Sequence, residues 1–218
     1  MKNAAHVIAV GPALYEEIIQ EYGVSEDRVS LINMGVNRNV FHQRTDVPSP
    51  FDQEKKHILF AGNIIKQKGI VELIRAFQQL HEDDQQLQLH LVGSFQSDAF
   101  KSEVENLIET LHLPKEAVLF HGPKSQDELA IHMTYADVFV LPSHIEGFGL
   151  VVLESMSCGT PVVASNVGGL PSLLSDEAGV LVEPEQPESL KRGIDAVLYD
   201  ESLRKQLVQA GYKKSRCE

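Results

Sequence analysis

The chain has 218 residues, 43% hydrophobic and 23% charged, the composition of an ordinary globular protein with room for a sizeable core. Its formal net charge of −12 excludes a broad surface for the phosphates of a nucleic acid polymer, so no nucleic acid partner is expected, although a small basic cluster for one phosphorylated ligand stays open. Two cysteines, Cys158 and Cys217, make no disulfide framework, no apolar run reaches the ~20 residues of a membrane span, and MKNAAHVIAV lacks a signal-peptide cleavage pattern, so a cytoplasmic protein is expected.

In chain order, AHVIAV (5–10) reads as a strand. A helix follows over PALYEEIIQEYG, with Pro12 at its first position and Gly23 as its stop. RVSLINMG (28–35) reads as a second strand, and the polar stretch 37–56, with two prolines, as a linker. Beyond it the alternation tightens. HILFAG (57–62), LQLHLVG (87–93), VLFHG (118–122), DVFVLPS (137–143), PVVAS (161–165) and GVLVEP (179–184) are strand runs. Ile70, Leu73, Ile74, Phe77 and Leu80 fall at helical spacing, as do Phe100, Val104, Leu107, Ile108 and Leu111. Ser125 and Glu128 form a capping-box pair that opens another helix. The apolar run after EGFG is helical, VGGLPSLLS makes a short helix, and helices opened by Pro187 and Asp200 end the chain.

Near-continuous Val/Ile/Leu strands alternating with helices imply an α/β domain from residue 57 to 199, a doubly wound parallel sheet of Rossmann-like topology, with a C-terminal helix over 200–218. Ligands of such sheets sit beyond the carboxyl ends of the strands. Three loops land there: those after 57–62 and 118–122, and the EGFG loop after 137–143.

In EGFGLVVLESMSCG (146–159), Gly147 and Gly149 let backbone N–H groups approach a ligand, and the helix beginning near Gly149 points its positive end there, which suits a phosphate. Glu154, one turn in, suits a neutral diol such as a ribose, and Glu146 the hydroxyls of a group beyond the phosphates. Taken singly, each glutamate reads as a solvated or capping residue. The apolar run around Glu154, where an unpaired charge is expensive, turns the pair toward a ligand. In FAGNIIKQKG (60–69), Lys66 and Lys68 lie between Gly62 and Gly69. Lys68 at the loop tip suits a diphosphate, and the two read equally well as solvated lysines. GGLP (168–171) suits an anion or tight packing. The nine histidines are scattered and give no ligand pair; His132 and His144 read as polar or packing residues and His57 and His90 as strand residues. Asp83–Asp84 reads as a solvated turn, so no metal site is expected.

Together FAGNIIKQKG, ELAIHMTYADVFVLPS, EGFGLVVLE, GTPVVASNVGGLP and GVLVEP resemble, in order and spacing, the C-terminal half of retaining GT-B glycosyltransferases of the family 4 (group 1) type. The resemblance runs from Val7 to the end, and Glu146 and Glu154 match the family's Glu-seven-Glu motif. It implies one half of a GT-B architecture and transfer of a hexosyl-type sugar from a nucleoside diphosphate sugar, with retention and with no metal or other cofactor. Glu146 and Lys68 are then the catalytic residues, Glu146 at the donor sugar and Lys68 at the leaving diphosphate. The backbone of Gly147, Phe148, Gly149 and Leu150 meets the sugar and diphosphate, and Glu154 the ribose hydroxyls. Gly62, Asn63 and Lys66 line the first loop, and Gly122 to Lys124 border the base.

The resemblance also implies that residues 1–36 are the last strand-helix-strand of an N-terminal acceptor domain and 37–56 the interdomain linker. The chain is then a fragment, its glycan or lipid-linked acceptor bound through the other half. Peripheral membrane association belongs to the full-length enzyme, and residues 1–36, without their sheet, are open to self-association. Two positions depart from the family: Asn63 stands where arginine is usual, and MGVN, with Met34 and Asn37, replaces Asn-Gly-Val-Asp. Three rival readings remain. A glycosidase would use the two glutamates as its pair but needs no phosphate-shaped loops. A nicotinamide enzyme would need a dinucleotide fingerprint that GNIIKQKG lacks. A non-catalytic nucleotide-sugar-binding module would need the same pocket as the transferase.

Overall fold

The computed structural model describes residues 4–217; residues 1–3 and 218, at the edges of the first and last expected segments, lie outside the described residues. Near the N-terminus, β1 (Val7–Ala9) and β2 (Val29–Leu31) pair in parallel, joined through α1 (Pro12–Gln20). Pro12 opens α1, and Gly23, at φ 62°, turns the chain after it. Ala9, Ile18, Val24 and Val29 bury a small cluster of their own. The second strand is shorter than its apolar run: it stops at Leu31, and Ile32 stands 55% exposed.

The main sheet holds six parallel strands: β3 (Lys56–Ala61), β4 (Leu87–Val92), β5 (Val118–Gly122), β6 (Val138–Leu141), β7 (Val162–Ser165) and β8 (Val180–Val182). Their order is β5-β4-β3-β6-β7-β8. The chain therefore winds outward from β3 in one direction and from β6 in the other, which is the doubly wound topology expected. Every residue of β4, β6 and β7 is buried; β6 (VFVL) and β7 (VVAS) accordingly read as near-continuous apolar runs, while β4 (LQLHLV) buries Gln88 and His90 between its leucines.

Helices α2 (Ile70–Asp83), α3 (Asp98–Thr110), α4 (Gln126–Tyr135), α5 (Leu150–Ser157), α6 (Leu170–Leu173), α7 (Pro187–Tyr199) and α8 (Glu201–Cys217) complete the fold. α2 buries Ile70, Leu73, Ile74, Phe77 and Leu80, the face its spacing predicts. The capping box of α4 is formed: Ser125 N–H donates to Glu128 Oε2 at 2.9 Å, and Glu128 N–H to Ser125 Oγ at 3.3 Å.

Residues 37–55 hold no helix or strand, yet they are strapped to the main core. Phe41 and Phe51 are buried in it. Ser157 Oγ donates to the carbonyl of Phe41 at 2.6 Å, the Tyr135 hydroxyl to that of Val47, and Arg44 pairs with Asp127 at 3.1 Å. α8 packs against α5, burying Leu207. Among the described residues no helix is long and apolar enough to cross a membrane.

Candidate functional site

The reversal of winding between β3 and β6 puts their two following loops side by side at the carboxyl edge of the sheet. Glycine brings them into contact. Gly69, at φ 68°, has no room for a side chain: a Cβ there would lie 2.0 Å from the carbonyl oxygen of Pro142. Two residues earlier the Gln67 carbonyl accepts the N–H of His144 at 2.9 Å. This seam carries Lys68 to Glu146, with Nζ 2.6 Å from Oε2. Ser143 Oγ donates to the same oxygen at 3.3 Å. The two residues expected to be catalytic are thus an ion pair, their side chains 24% and 14% exposed. A second contact backs the seam: His144 Nε2 lies 3.1 Å from Glu72 Oε2 in the first turn of α2. Nothing in the spacing of Glu72 and His144 signals it, because it depends on the two loops meeting.

The opposite side of the EGFG loop is held by GGLP. A Cβ on Gly168, at φ 53°, would lie 1.7 Å from the carbonyl oxygen of Glu146, and one on Gly169 2.6 Å from that of Gly147. Of the two uses left open for this turn, tight packing is the one observed: backbone rests on backbone and fixes the path of Glu146–Phe148. Phe148 is buried, and a Cβ on Gly11 would sit 2.8 Å from its ring, so the turn between β1 and α1 abuts the same loop.

Gly149, at φ 89°, opens α5, whose N-terminal end carries a partial positive charge. Glu154 lies one turn further, partly buried and with burial as the sole cause that pushes its carboxyl up to about 7 from an ordinary 4.5. Among the described residues no cation offsets it. The native state therefore holds a proton that the unfolded chain has released, a contribution fully present below about pH 4.5 and lost as pH rises through 7. Glu154→Gln is expected to stabilise the ligand-free chain by about 1–3 kcal/mol at pH 8 and by little at pH 5. Urea unfolding at both pH values checks this, and an equal effect at both would contradict it.

The remaining expected residues lie in the first loop and at the end of β5. Gly62 and Asn63 are exposed, and Gly62 N–H donates to Val92 at 3.0 Å. Lys66 is exposed, at the start of the short 3-10 turn Lys66–Lys68. Gly122, at φ 66°, ends β5, two strands from β3, and its carbonyl accepts Gly93 N–H at 2.9 Å. Lys124 Nζ lies 3.6 Å from Glu128 Oε1. The reading of the histidines as scattered is corrected: His57, His90, His121 and His132 come together under Phe51. Sequence separations of 33, 31 and 11 hid them, because adjacency of β3, β4 and β5 makes the cluster. Among the described residues no His/Cys/Asp/Glu group could hold a metal ion.

A family profile described as glycosyl transferases group 1 matches residues 42–214. A D-inositol 3-phosphate glycosyltransferase of Paenarthrobacter aurescens is 35% identical over 91% of this chain and 50% of its own length. Among solved structures, a sucrose-phosphate synthase from Thermosynechococcus elongatus aligns with a TM-score of 0.84 at 33% identity, covering 99% of this chain and 54% of that one. Anabaena HepE, solved in complex with UDP-glucose, aligns with a TM-score of 0.88 at 24% identity, covering 98% of this chain and 59% of that one, a likeness of fold. The chain spans about half the length of the curated relatives it matches.

Proposed function

This chain belongs to the group 1 glycosyl transferases and has the fold of one half of a GT-B enzyme, and we propose that it is the donor-binding half, holding a nucleoside diphosphate sugar for transfer with retention of configuration. The observation that carries this reading is the Lys68–Glu146 pair at the switch point of the sheet, on the same loop-and-helix unit as the uncompensated Glu154. A cation, a helix N-terminus and a carboxylate without a cation are what a diphosphate flanked by a ribose and a sugar requires. HepE, of the same fold, is solved with a ligand of that class.

In this reading Glu154 accepts the two ribose hydroxyls and is ionised when it does so. The diphosphate lies against the start of α5 and Lys68, with Lys66 as the second cation in place of the arginine that Asn63 replaces. Lys66 is a point charge without a guanidinium fork, so it neutralises without fixing geometry. Glu146 meets the hexosyl group. During transfer the bond from the anomeric carbon to the diphosphate oxygen breaks and the bond to the acceptor oxygen forms on the same face. The acceptor's proton passes to the departing diphosphate, and Lys68 stabilises the charge growing there. No metal or other cofactor has a role in this scheme. The acceptor, glycan or lipid-linked, is assigned to the part of the full-length protein beyond this chain, as is any membrane contact.

Thermal unfolding with uridine, guanosine and adenosine diphosphates tests the reading. At about 100 times its Kd, one of them is expected to stabilise the chain by about 2.7 kcal/mol, a rise of several degrees. Glu154→Ala is expected to remove most of that rise. No shift with any of the three overturns the reading.

A further inference from the structure

One histidine from each of β3, β4, β5 and α4 meets on the α4 side of the main sheet, and three of them are hydrogen-bonded in series. His57 Nε2 lies 2.8 Å from the carbonyl oxygen of Asp52. A carbonyl only accepts, so the proton is on Nε2 and the Nδ1 of a neutral ring is left as an acceptor. His90 Nε2, 3.0 Å from that Nδ1, donates to it, and its own Nδ1 then accepts from His121 Nε2 at 2.9 Å. The direction of the whole series follows from its first link. Phe51 covers it, its ring centroid 4.6 Å from that of His57 and 4.1 Å from that of His90. His132 stands beside the series with its Nδ1 donating to the Glu128 carbonyl at 2.7 Å.

The last rung lies at an irregularity. Leu91 pairs with Phe120 but Val92 with Gly122, so His121 is the extra residue of a β-bulge. Leu119 pairs with His90, so alternation already puts His121 on the His90 face, and the bulge falls there, immediately before Gly122. Gly122 to Lys124 is the stretch that the donor-binding reading sets against the nucleotide base.

We propose that the His57–His90–His121 ladder is a positioning element for that wall, holding the end of β5 only while the accepting rings, His57 and His90, are neutral. The wall's role rests on the preceding reading; the ladder's geometry does not. A proton added to the Nδ1 of His57 or of His90 turns an accepting nitrogen into a donor that faces another donor, and that link opens, whereas a proton on His121 Nδ1 leaves its Nε2–H bond to His90 in place. The charged neighbours do not compensate: Lys55, Asp52 and Asp137 face His57, Lys124 faces His121, and Lys124 and Glu128 face His132. Burial is the first cause that lowers all four rings, and His90, with three histidines around it, is pushed down to about 3. An unfolded histidine titrates near ~6.5, so the ladder's contribution is complete above that pH and is lost as pH falls below it. Glu154 acts in the opposite sense.

Nitrogen and amide NMR on the whole chain without ligand, from pH 7.5 down to about 3, tests this. At pH 7.5 the three rings are expected to carry their protons on Nε2. On acidification the Gly122 and Lys124 amides are expected to shift with the midpoint of the His90 ring, whose Nδ1 accepts from His121, while Val163 and Ala164 in β7 hold still. His121→Gln removes the ring that bonds His90 and is expected to shrink the Gly122 shift at least threefold; His90→Gln, read the same way, removes the ring shared by both links and covers failure of the first variant to fold. A proton on Nδ1 of any of the three rings at pH 7.5 overturns the proposal. So does an unchanged Gly122 response in either folded variant, or a Gly122 shift seen only in global unfolding. A chain with the ladder response that binds no nucleoside diphosphate overturns the donor reading and leaves the ladder standing as the fastening of β5.

Discussion

Lys68→Met is expected to weaken nucleoside diphosphate binding by about 10- to 100-fold, and Glu146→Gln to strengthen it by about three- to tenfold. A charge-assisted hydrogen bond contributes about 1.5–3 kcal/mol, and each ~1.4 kcal/mol is a factor of ten in affinity. In the ligand-free chain Lys68 already holds a partner, Glu146 at 2.6 Å. A diphosphate has to take the ammonium from that carboxylate, and removing the carboxylate removes the competition. The two variants therefore move affinity in opposite directions, which a general loss of structure cannot do. With the complete nucleotide sugar, Glu146→Gln is expected to lose its advantage, because the missing carboxylate is then the one that meets the sugar. Titration calorimetry with the nucleoside diphosphate alone and with its sugar separates these effects. A loss of diphosphate affinity in Glu146→Gln would contradict the competition.

Gly168→Ala is expected to destabilise the chain by about 3–5 kcal/mol, lowering its unfolding midpoint by roughly 10 °C, and to abolish nucleoside diphosphate binding. The new Cβ would stand 1.7 Å from a backbone oxygen, so no side-chain rotation relieves it. The residue also sits at φ 53°, a conformation that costs a non-glycine residue about 1–2 kcal/mol. Relief comes only by moving the carbonyl of Glu146, and with it the carboxylate that Lys68 holds. Gly147→Ala, one residue along the opposing loop, is the control. A Cβ there meets nothing within 4 Å, and its expected cost is below about 1 kcal/mol. Comparable losses in both variants would show that the clash is not what holds the loop.

The sheet was legible because burial on both faces leaves an unbroken apolar signature, as in VFVL and VVAS, and because helices such as α2 keep one apolar face. The strand over 28–35 was overread, since β2 has a single neighbour, β1, and pairing ends where that neighbour ends. Glu146 and Glu154 could be singled out because a turn and a helix connect them within nine residues. The pairing of Lys68 with Glu146 could not, since 78 residues separate them and only the adjacency of β3 and β6 closes the gap. The same holds for the histidines. His57 pairs with Gln88 across the β3–β4 ladder, which puts His90, two residues on, on the same face. That relation exists only once strand order and register are known. Phe41 and Phe51 belonged to a stretch polar enough to read as a linker, and their burial reflects where a core had gaps rather than any periodicity.

The most direct test is the position of Lys68 Nζ in a crystal structure of the chain saturated with the nucleoside diphosphate that stabilises it best. The ammonium is predicted to have left Glu146 for a phosphate oxygen at the start of α5, with the ribose hydroxyls on Glu154. A diphosphate bound away from these residues, with the 2.6 Å contact between Lys68 and Glu146 intact, would contradict the account.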